Sequence, residues 1–264
     1  MYNVKNKTVM ITGAARGLGY KYAEILLRNG AKYVAMVDLP TSNGQNAAAT
    51  LEKEFGKGRA VFYVCDVTKA EDLEKVFKKT VDTFKGLDII INNAGMLSDK
   101  RWEEMIDLNV NALIRGSFLA MDYMGKHNDG KGGVIVNISS TVGLSSNYFL
   151  PIYSASKHAV VGFSQSLADL YDKTGVRVVI MCPGVTLTEL VANISNKIHD
   201  SIGNVLGNVD DLLKNFPKQS TDHVALAMLN LIQKGKNGAV WVSEGGEPSY
   251  AVDFIHYSKR SLPV

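Results

Sequence analysis

Short apolar runs recur along the chain, and each ends at or just before a glycine, proline, acid, amide or hydroxyl. Residues 7–12, 33–38, 60–65, 87–91, 132–140, 176–182 and 238–242 are such runs, rich in Val, Ile and Met. They are too short for helices and too continuously apolar for strands with a wet face, so they predict strands buried on both sides. Between them, residues 20–28, 70–84, roughly 100–127, 153–173 and 221–234 carry helical spacing; Gly175 closes the fourth as a C-cap. Strands alternating with helices, with no linker and no repeat, predict an α/β chain: one doubly wound, parallel, seven-stranded sheet in a single domain over 1–264. Asn109 falls inside the 100–127 helix, where an Asn is mildly unfavourable, and predicts a local kink or a solvent-exposed face. Residues 189–220 break the rhythm. They are Asn-rich, with scattered apolar positions such as Leu190, Ile194, Ile198, Leu212, Leu213 and Phe216, and predict short helices forming a lid over an apolar cleft. The tail, 244–264, carries Tyr250, Phe254, His256 and Tyr257 and is expected to cover a pocket or pack on a partner subunit.

Composition narrows the partners. The 264 residues are 46% hydrophobic and 21% charged, enough for one large core. A net charge of +3 gives no reason to expect nucleic acid or an anionic membrane. Residues 1–7 contain no signal-type apolar region, no run of eighteen apolar residues could span a bilayer, and the last four residues match no address or lipidation signal. Cys65 and Cys182, the two cysteines, sit in strand-like runs and suit buried free thiols in a reducing compartment. A soluble, cytoplasmic protein is expected.

Chemistry collects where the strands end. Thr12-Gly-Ala-Ala-Arg-Gly-Leu-Gly19 joins the first strand to a helix, the order that cradles a pyrophosphate. Gly13 permits the tight turn, while Gly17 and Gly19 let backbone and helix approach the phosphates. Asp38 ends the second strand, where a carboxylate accepts from both ribose hydroxyls of NAD and repels the 2′-phosphate of NADP. Arg16 argues the other way, since it can pair with that phosphate; Asp38 outweighs it because a desolvated like-charge clash is costly while an Arg is easily solvated. Asp66, after the third strand, suits either an adenine amino group or, like Thr68, the N-cap of the next helix. Asn92-Asn-Ala-Gly95 ends the fourth strand and either lies along the cofactor and braces the central sheet or is a plain turn. Ser139 and Ser140 end the fifth strand, and Pro183-Gly184 the sixth.

Tyr153 and Lys157 lie one helical turn apart on one face. Alone, such a pair is an ordinary amphipathic feature. With a nucleotide beside it, it becomes a candidate general base. A phenol titrates near 10, and poising it near 7 takes about 4 kcal/mol, which a close ammonium and a cationic nicotinamide ring would have to provide together. Ser140 would hold the substrate oxygen next to it.

These motifs resemble the short-chain dehydrogenase/reductase family over nearly the whole chain: Thr12-Gly13-x-x-x-Gly17-x-Gly19, Asn92-Asn-Ala-Gly95, Asn109, Ser140, Tyr153-x-x-x-Lys157 and Pro183-Gly184. The resemblance implies a Rossmann fold, with Tyr153 as acid/base and Ser140 orienting the substrate oxygen. It implies that Lys157 binds the nicotinamide ribose and lowers the Tyr pKa, and that Asn109 holds a water in a proton relay. Val185 and Thr188 would meet the nicotinamide amide. The implied cofactor-contacting set is Gly13, Arg16, Gly17, Leu18, Gly19, Asp38, Asp66, Val67, Asn93, Ala94, Gly95, Tyr153, Lys157, Pro183, Gly184, Val185 and Thr188, with NAD as cofactor and no metal. Within the family, residues 122–133, 153–162 and 237–241 look like insect-type alcohol dehydrogenases and 15-hydroxyprostaglandin dehydrogenase-like enzymes. The prostaglandin enzymes carry a glutamine three residues before the tyrosine. Here Leu150 stands there, which favours an apolar alcohol over a prostaglandin, with Ser140, Leu150 and Tyr153 as the substrate-contacting residues.

The expectation is an NAD-dependent oxidation of an apolar, medium-sized alcohol, terpenoid or retinoid in kind. The rivals are an NADP(H)-dependent carbonyl reductase, a prostaglandin-type dehydrogenase and a non-catalytic ligand-binding member; retention of Ser140, Tyr153 and Lys157 argues against the last. Two separated cysteines and five scattered histidines offer no zinc site. The resemblance further implies homodimers or homotetramers built on the 100–127 and 153–173 helices.

Overall fold

The alternation of apolar runs becomes a sheet with both faces covered. The computed structural model describes residues 1–206, 209 and 216–260; Leu212 and Leu213 of the expected lid, and residues 261–264 of the tail, lie outside the described residues. The strands are β1 (Thr8–Thr12), β2 (Tyr33–Asp38), β3 (Ala60–Val64), β4 (Ile89–Asn92), β5 (Gly133–Ile138), β6 (Val176–Pro183), β7 (Val240–Ser243) and β8 (Tyr250–Val252). They form one sheet in the order β3-β2-β1-β4-β5-β6-β7-β8. The first seven are parallel, as the sequence predicts. β8 is an addition from the tail, antiparallel to β7 with Val240 opposite Val252. Three half-exposed residues carry too little periodicity to announce a strand, and pairing with β7 supplies what the local sequence lacks.

The helices are α1 (Gly17–Arg28), α2 (Gly44–Phe55), α3 (Ala70–Phe84), α4 (Trp102–Ile106), α5 (Leu113–Met124), α6 (Pro151–Ala168), α7 (Tyr171–Thr174), α8 (Asp200–Leu206) and α9 (Thr221–Lys234). Because side chains alternate along a strand, neighbouring residues serve opposite layers. Val9, Ile11, Met36, Ile89 and Ile91 pack with Leu26, Leu51 and Met228 of α1, α2 and α9. Met10, Val37, Ile90 and Ile135 face the other way, onto Phe77, Met121 and Leu167 of α3, α5 and α6. All these side chains are essentially fully buried, each stabilising the fold by about 1.5–3 kcal/mol, which explains why the strands read as uninterrupted apolar runs.

Two long helices of the sequence reading are broken. The 100–127 stretch consists of a 3₁₀ turn (Asp99–Arg101), α4, a π-turn (Asp107–Ala112) and α5, with a further 3₁₀ turn at Lys126–Asn128. Asn109 is the reason for the π-turn's position: it is buried, and its amide bonds outside the helix. Of the two expectations for Asn109, the local distortion holds and the exposed face does not. The 153–173 stretch starts earlier, at Pro151, where a missing N–H is harmless, and stops at Ala168. Gly175 does act as a left-handed cap, with φ +65°, but for the short α7. Within the 189–220 segment the described parts are indeed short helices: two 3₁₀ turns, Glu189–Val191 and Ile194–Lys197, and α8.

The strand order reverses between β1 and β4, each of whose neighbours lies on the opposite side. A ligand crevice opens at such a point, above the C-terminal strand ends. Thr12, Asp38, Asn92, Ile138 and Pro183 all lie at that edge.

Candidate active site

The glycine turn after β1 is held by its neighbour strand. The Thr12 hydroxyl accepts from the main-chain N–H groups of Asn93 and Ala94, each at 3.0 Å, and Asn93 Nδ2 donates back to the carbonyls of Thr12 (2.9 Å) and Gly13 (3.1 Å). Asn93 therefore clamps the turn, a role distinct from lying flat along a cofactor. Gly13 and Gly17 adopt φ of +65° and +56°. A Cβ on Gly19 would stand 2.1 Å from the Gly13 carbonyl oxygen. The turn leads directly into α1, whose first turn holds no acid and whose N-cap, Arg16, makes no side-chain cap. Its leading N–H groups thus remain for an anion. The Asp38 carboxylate faces the turn, with Oδ2 accepting from Ala15 N–H (2.9 Å) and Oδ1 from Leu39 N–H (2.8 Å). This cradle fits the diphosphate and ribose of a dinucleotide.

Arg16 forms an exposed ion pair with Glu189 across the mouth of the cleft. Its charge is thus matched by this chain. Asp66 Oδ1 accepts from the N–H (3.1 Å) and hydroxyl (2.7 Å) of Thr68, an Asx turn at the sheet edge. The N-cap of α3 is Lys69, so neither Asp66 nor Thr68 has the capping role considered for it. Val67 is buried beside them.

Tyr153, Lys157 and Ser140 do converge. Tyr153 stands in the first turn of α6, buried, with the Ser140 hydroxyl near enough to its phenol to favour the ionised form. Ser140 ends the strand edge after β5; its Oγ donates to the Pro183 carbonyl (3.3 Å) and accepts from Val142 N–H (3.4 Å). Lys157 is 5% exposed; its Nζ donates to the Ile138 carbonyl at 3.0 Å and lies 5.7 Å from the centroid of the Tyr153 ring. Ser139 Oγ donates to the Lys157 carbonyl (2.8 Å) and so fixes the helix to β5. The amine is turned inward, as the chemistry requires. The amine is not alone in setting the electrostatics of the phenol. Burial pushes the phenol up to about 12, opposed only by the Ser140 hydroxyl, and burial pushes the Lys157 ammonium down to about 8. Desolvation dominates, because both groups left water together. The ammonium alone therefore does not poise the phenol as a base.

Asn109 secures the opposite wall. Its Oδ1 accepts from Met96 N–H and its Nδ2 donates to Met96 O, both at 2.9 Å, with Ser156 Oγ 3.2 Å away. Gly95 passes between: a Cβ there would come within 3.1 Å of Asn109 Oδ1 and 3.8 Å of Lys157 Nζ. Beneath the site runs a buried polar network in which Asn92 does brace the sheet, through partners (Ser117, Asn137, Ser164) that the sequence reading missed. Asn92 Nδ2 donates to Asn137 Oδ1 (2.8 Å) and Ser117 Oγ (3.1 Å), and Asn137 Nδ2 donates to Ser164 Oγ (2.8 Å). These residues sit on four separate elements, and the visible hint was only a run of amides and hydroxyls at otherwise apolar positions. Gln219 was missed too. It donates to the Ser243 carbonyl (2.6 Å) and to Thr186 Oγ1 (3.3 Å), returning the 189–220 segment to the sheet.

Above these groups lies a cleft with about 940 Å³ of empty space, open at its mouth. Leu18, Gly95, Pro183, Gly184, Val185 and Thr188 line the side next to the glycine turn. Leu97, Val142, Phe149, Leu150, Ile194 and Phe216 line the other. Among the described residues, Lys157 is the only charged side chain that lines it. A Tyr–Lys–Ser cluster thus stands at the mouth of a cradle that fits a dinucleotide, at the switch point of a doubly wound sheet.

Residues 7–199 match the family described as short chain dehydrogenase, and the chain belongs to that family. Among curated relatives, the NAD(+) 15-hydroxyprostaglandin dehydrogenase of Rattus norvegicus is 37% identical over 244 residues, covering 90% of this chain and 91% of that enzyme. The enzyme of Homo sapiens matches over the same length at the same identity. Fat body protein 2 of Drosophila melanogaster is 26% identical over 261 residues, covering 97% of this chain and 99% of that protein. Among solved structures, levodione reductase superposes with a TM-score of 0.79 at 21% identity, over 92% of this chain and 97% of that one, a likeness of fold. The family resemblance read from the motifs is thus confirmed, and the protein is an oxidoreductase of this family.

Proposed function

We propose that the protein oxidises an apolar, uncharged alcohol of medium size to its carbonyl, with NAD as the oxidant. The observation that carries the reading is the Ser140–Tyr153–Lys157 cluster opening into a cleft in which, among the described residues, Lys157 is the one charged side chain and Leu97, Val142, Phe149, Leu150, Ile194 and Phe216 line the side away from the glycine turn. The glycine turn, Asp38 and Lys157 hold NAD, with Asp66, Val67, Ala94, Gly95, Val185 and Thr188 around it; when bound, NAD supplies the acceptor for the hydride. Asp38 favours NAD over NADP, and Glu189, by pairing with Arg16, removes the one cation that argued for a 2′-phosphate. The names of the mammalian relatives point the same way.

The chain's own residues handle the proton and the oxygen. The substrate hydroxyl sits between Ser140 and Tyr153. Tyr153 takes its proton as hydride leaves the carbon, and Ser140 keeps the oxygen in place as its charge changes. With the phenol held near 12 by burial, the dinucleotide's positive ring and a charged Lys157 must lower it before it acts as a base. Asn109's amide is committed to Met96 and Ser156, so the relay role assigned to this residue falls to its main-chain carbonyl in the π-turn. Leu150 and Phe149, both buried, press on the substrate side of Tyr153 and give a carboxylate no partner. This favours an uncharged alcohol over an acidic lipid.

We further read 1–264 as one catalytic domain, 189–220 as its lid and 244–264 as its tail, in a cytoplasmic homodimer or homotetramer. Free, buried Cys65 and Cys182 suit a reducing compartment, and no helix among the described residues is long and apolar enough to cross a membrane. The half-exposed Phe118 of α5, stacked edge-on to Phe163 of α6, supports a subunit contact on those helices. Turnover of primary, secondary and terpenoid alcohols with NAD and with NADP, followed by reduced-cofactor absorbance, tests the reading. Neutral apolar alcohols should turn over fastest with NAD; preference for NADP(H), or for a carboxylated alcohol, would overturn it.

A further inference from the structure

Asp99 has no part in the chemistry above, yet it is fully buried, and both its carboxylate oxygens grip the helix that carries Tyr153. Oδ2 accepts from the N–H of Ile152 and Oδ1 from the N–H of Tyr153 itself, each at 2.9 Å. These are orphan donors of the first turn of α6. The local sequence offers them nothing: the N-cap is Leu150, without a side-chain acceptor, and Pro151 occupies the first turn. A neighbouring Ser or Asp would cap this helix at less expense than a carboxylate brought from a distant loop and buried there. What the distant group adds is a fixed relation between α6 and the loop after β4. That loop is tied down independently. Ser98 Oγ accepts from Arg101 N–H at 3.3 Å, and Lys100 pairs with Asp200 of α8 at 2.8 Å.

We propose that Asp99 is a positioning residue for the reaction: by holding the main-chain N–H of Tyr153, it sets the height and rotation of the first turn of α6 and so aims the phenol at Ser140 and the substrate oxygen. The proposal rests on Tyr153 being the proton acceptor. Asp99 also joins the catalytic turn to the loop whose Lys100 pairs with Asp200 at the start of α8.

The test uses the full chain with Asp99→Ala, Asp99→Asn and, as a reference, Tyr153→Phe. It reads kcat and KM on the fastest alcohol, NADH affinity by fluorescence, and hydrogen exchange of a peptide covering 150–156. Displacement of a reacting group by about 1 Å is enough for a loss of about a hundredfold, so Asp99→Ala should lower kcat by about 10- to 100-fold. KM and NADH affinity should stay within about threefold, and exchange across 150–156 should quicken. Asp99→Asn keeps one acceptor and should fall between the two; it carries the test if Asp99→Ala does not fold. Wild-type kcat in Asp99→Asn and Asp99→Ala alongside faster exchange would overturn the proposal, as would parallel loss of kcat and NADH affinity in both. Activity in Tyr153→Phe would instead overturn the functional reading on which it rests, so the two failures are distinguishable.

Discussion

Replacing Lys157 with Met should disable the enzyme and stabilise its fold, and the two effects have one cause. The amine is 5% exposed, and burial lowers its pKa from the ordinary 10.5 to about 8. That fall corresponds to about 3 kcal/mol by which the folded state disfavours the charged amine. Met fills a similar volume without a charge. It leaves the Ile138 carbonyl without its 3.0 Å donor, at a loss of about 1–2 kcal/mol, so the net gain is about 1–2 kcal/mol. For a domain of this size that raises Tm by about 2–6 °C. The sign with pH follows from linkage. Below pH 8 the folded protein must carry the buried ammonium and the penalty is complete. Between about 8 and 10.5 the unfolded chain still binds the proton while the folded one has released it, so wild-type stability rises with pH and the advantage of Met fades. The Tyr153 phenol has the opposite linkage. Raised to about 12, it contributes stability that is present below pH 10 and lost as the pH rises from about 10 to 12, above both melting pH values. Thermal melts of both proteins without cofactor, at about pH 6.5 and about pH 10, supply the comparison. A Lys157→Met protein that melts lower than wild type at the acid pH, or a difference that does not change between the two, would refute the reasoning.

Other substitutions test other parts of the site. Asp38→Ala removes the carboxylate oriented by Ala15 and Leu39 and should shift the ratio of NADP to NAD efficiency upward by about tenfold or more, measured as kcat/KM for each cofactor. Gly19→Ala drives a Cβ to 2.1 Å from the Gly13 carbonyl, so the turn must open; NADH binding should be lost and stability fall by about 1–3 kcal/mol in a urea titration. Asn137→Ala strands Asn92 and Ser164 beneath the sheet edge and should destabilise by about 1–3 kcal/mol, read the same way, with KM little changed.

The strand ends were legible because burial on both faces writes a strand as an apolar run, and the first polar residue after it marks the sheet edge. Asp38, Ser140 and Pro183 could be placed for that reason, and Tyr153 with Lys157 because one helical turn relates them. What escaped depends on partners far away in the chain. Asp99 reads as one more acid in a polar stretch until α6 is laid against it. Asn137 and Gln219 look like interruptions until their buried partners arrive from other elements. The π-turn at Asp107–Ala112 was half visible: Asn109 signalled a disturbance, and only its bonds to Met96 decide its form. The upward push of burial on the phenol was not legible, because spacing reports the neighbouring amine and says nothing of the water both groups have lost.

The central claim is that a buried phenol does the proton transfer. Tyr153→Phe keeps the ring, and with it the packing against Leu150 and Phe149, and deletes one oxygen. With the best neutral alcohol and NAD, kcat/KM should fall by about 10²–10⁴ while NADH fluorescence titrations give unchanged affinity. A Phe variant that retains activity within about tenfold of wild type would contradict the account.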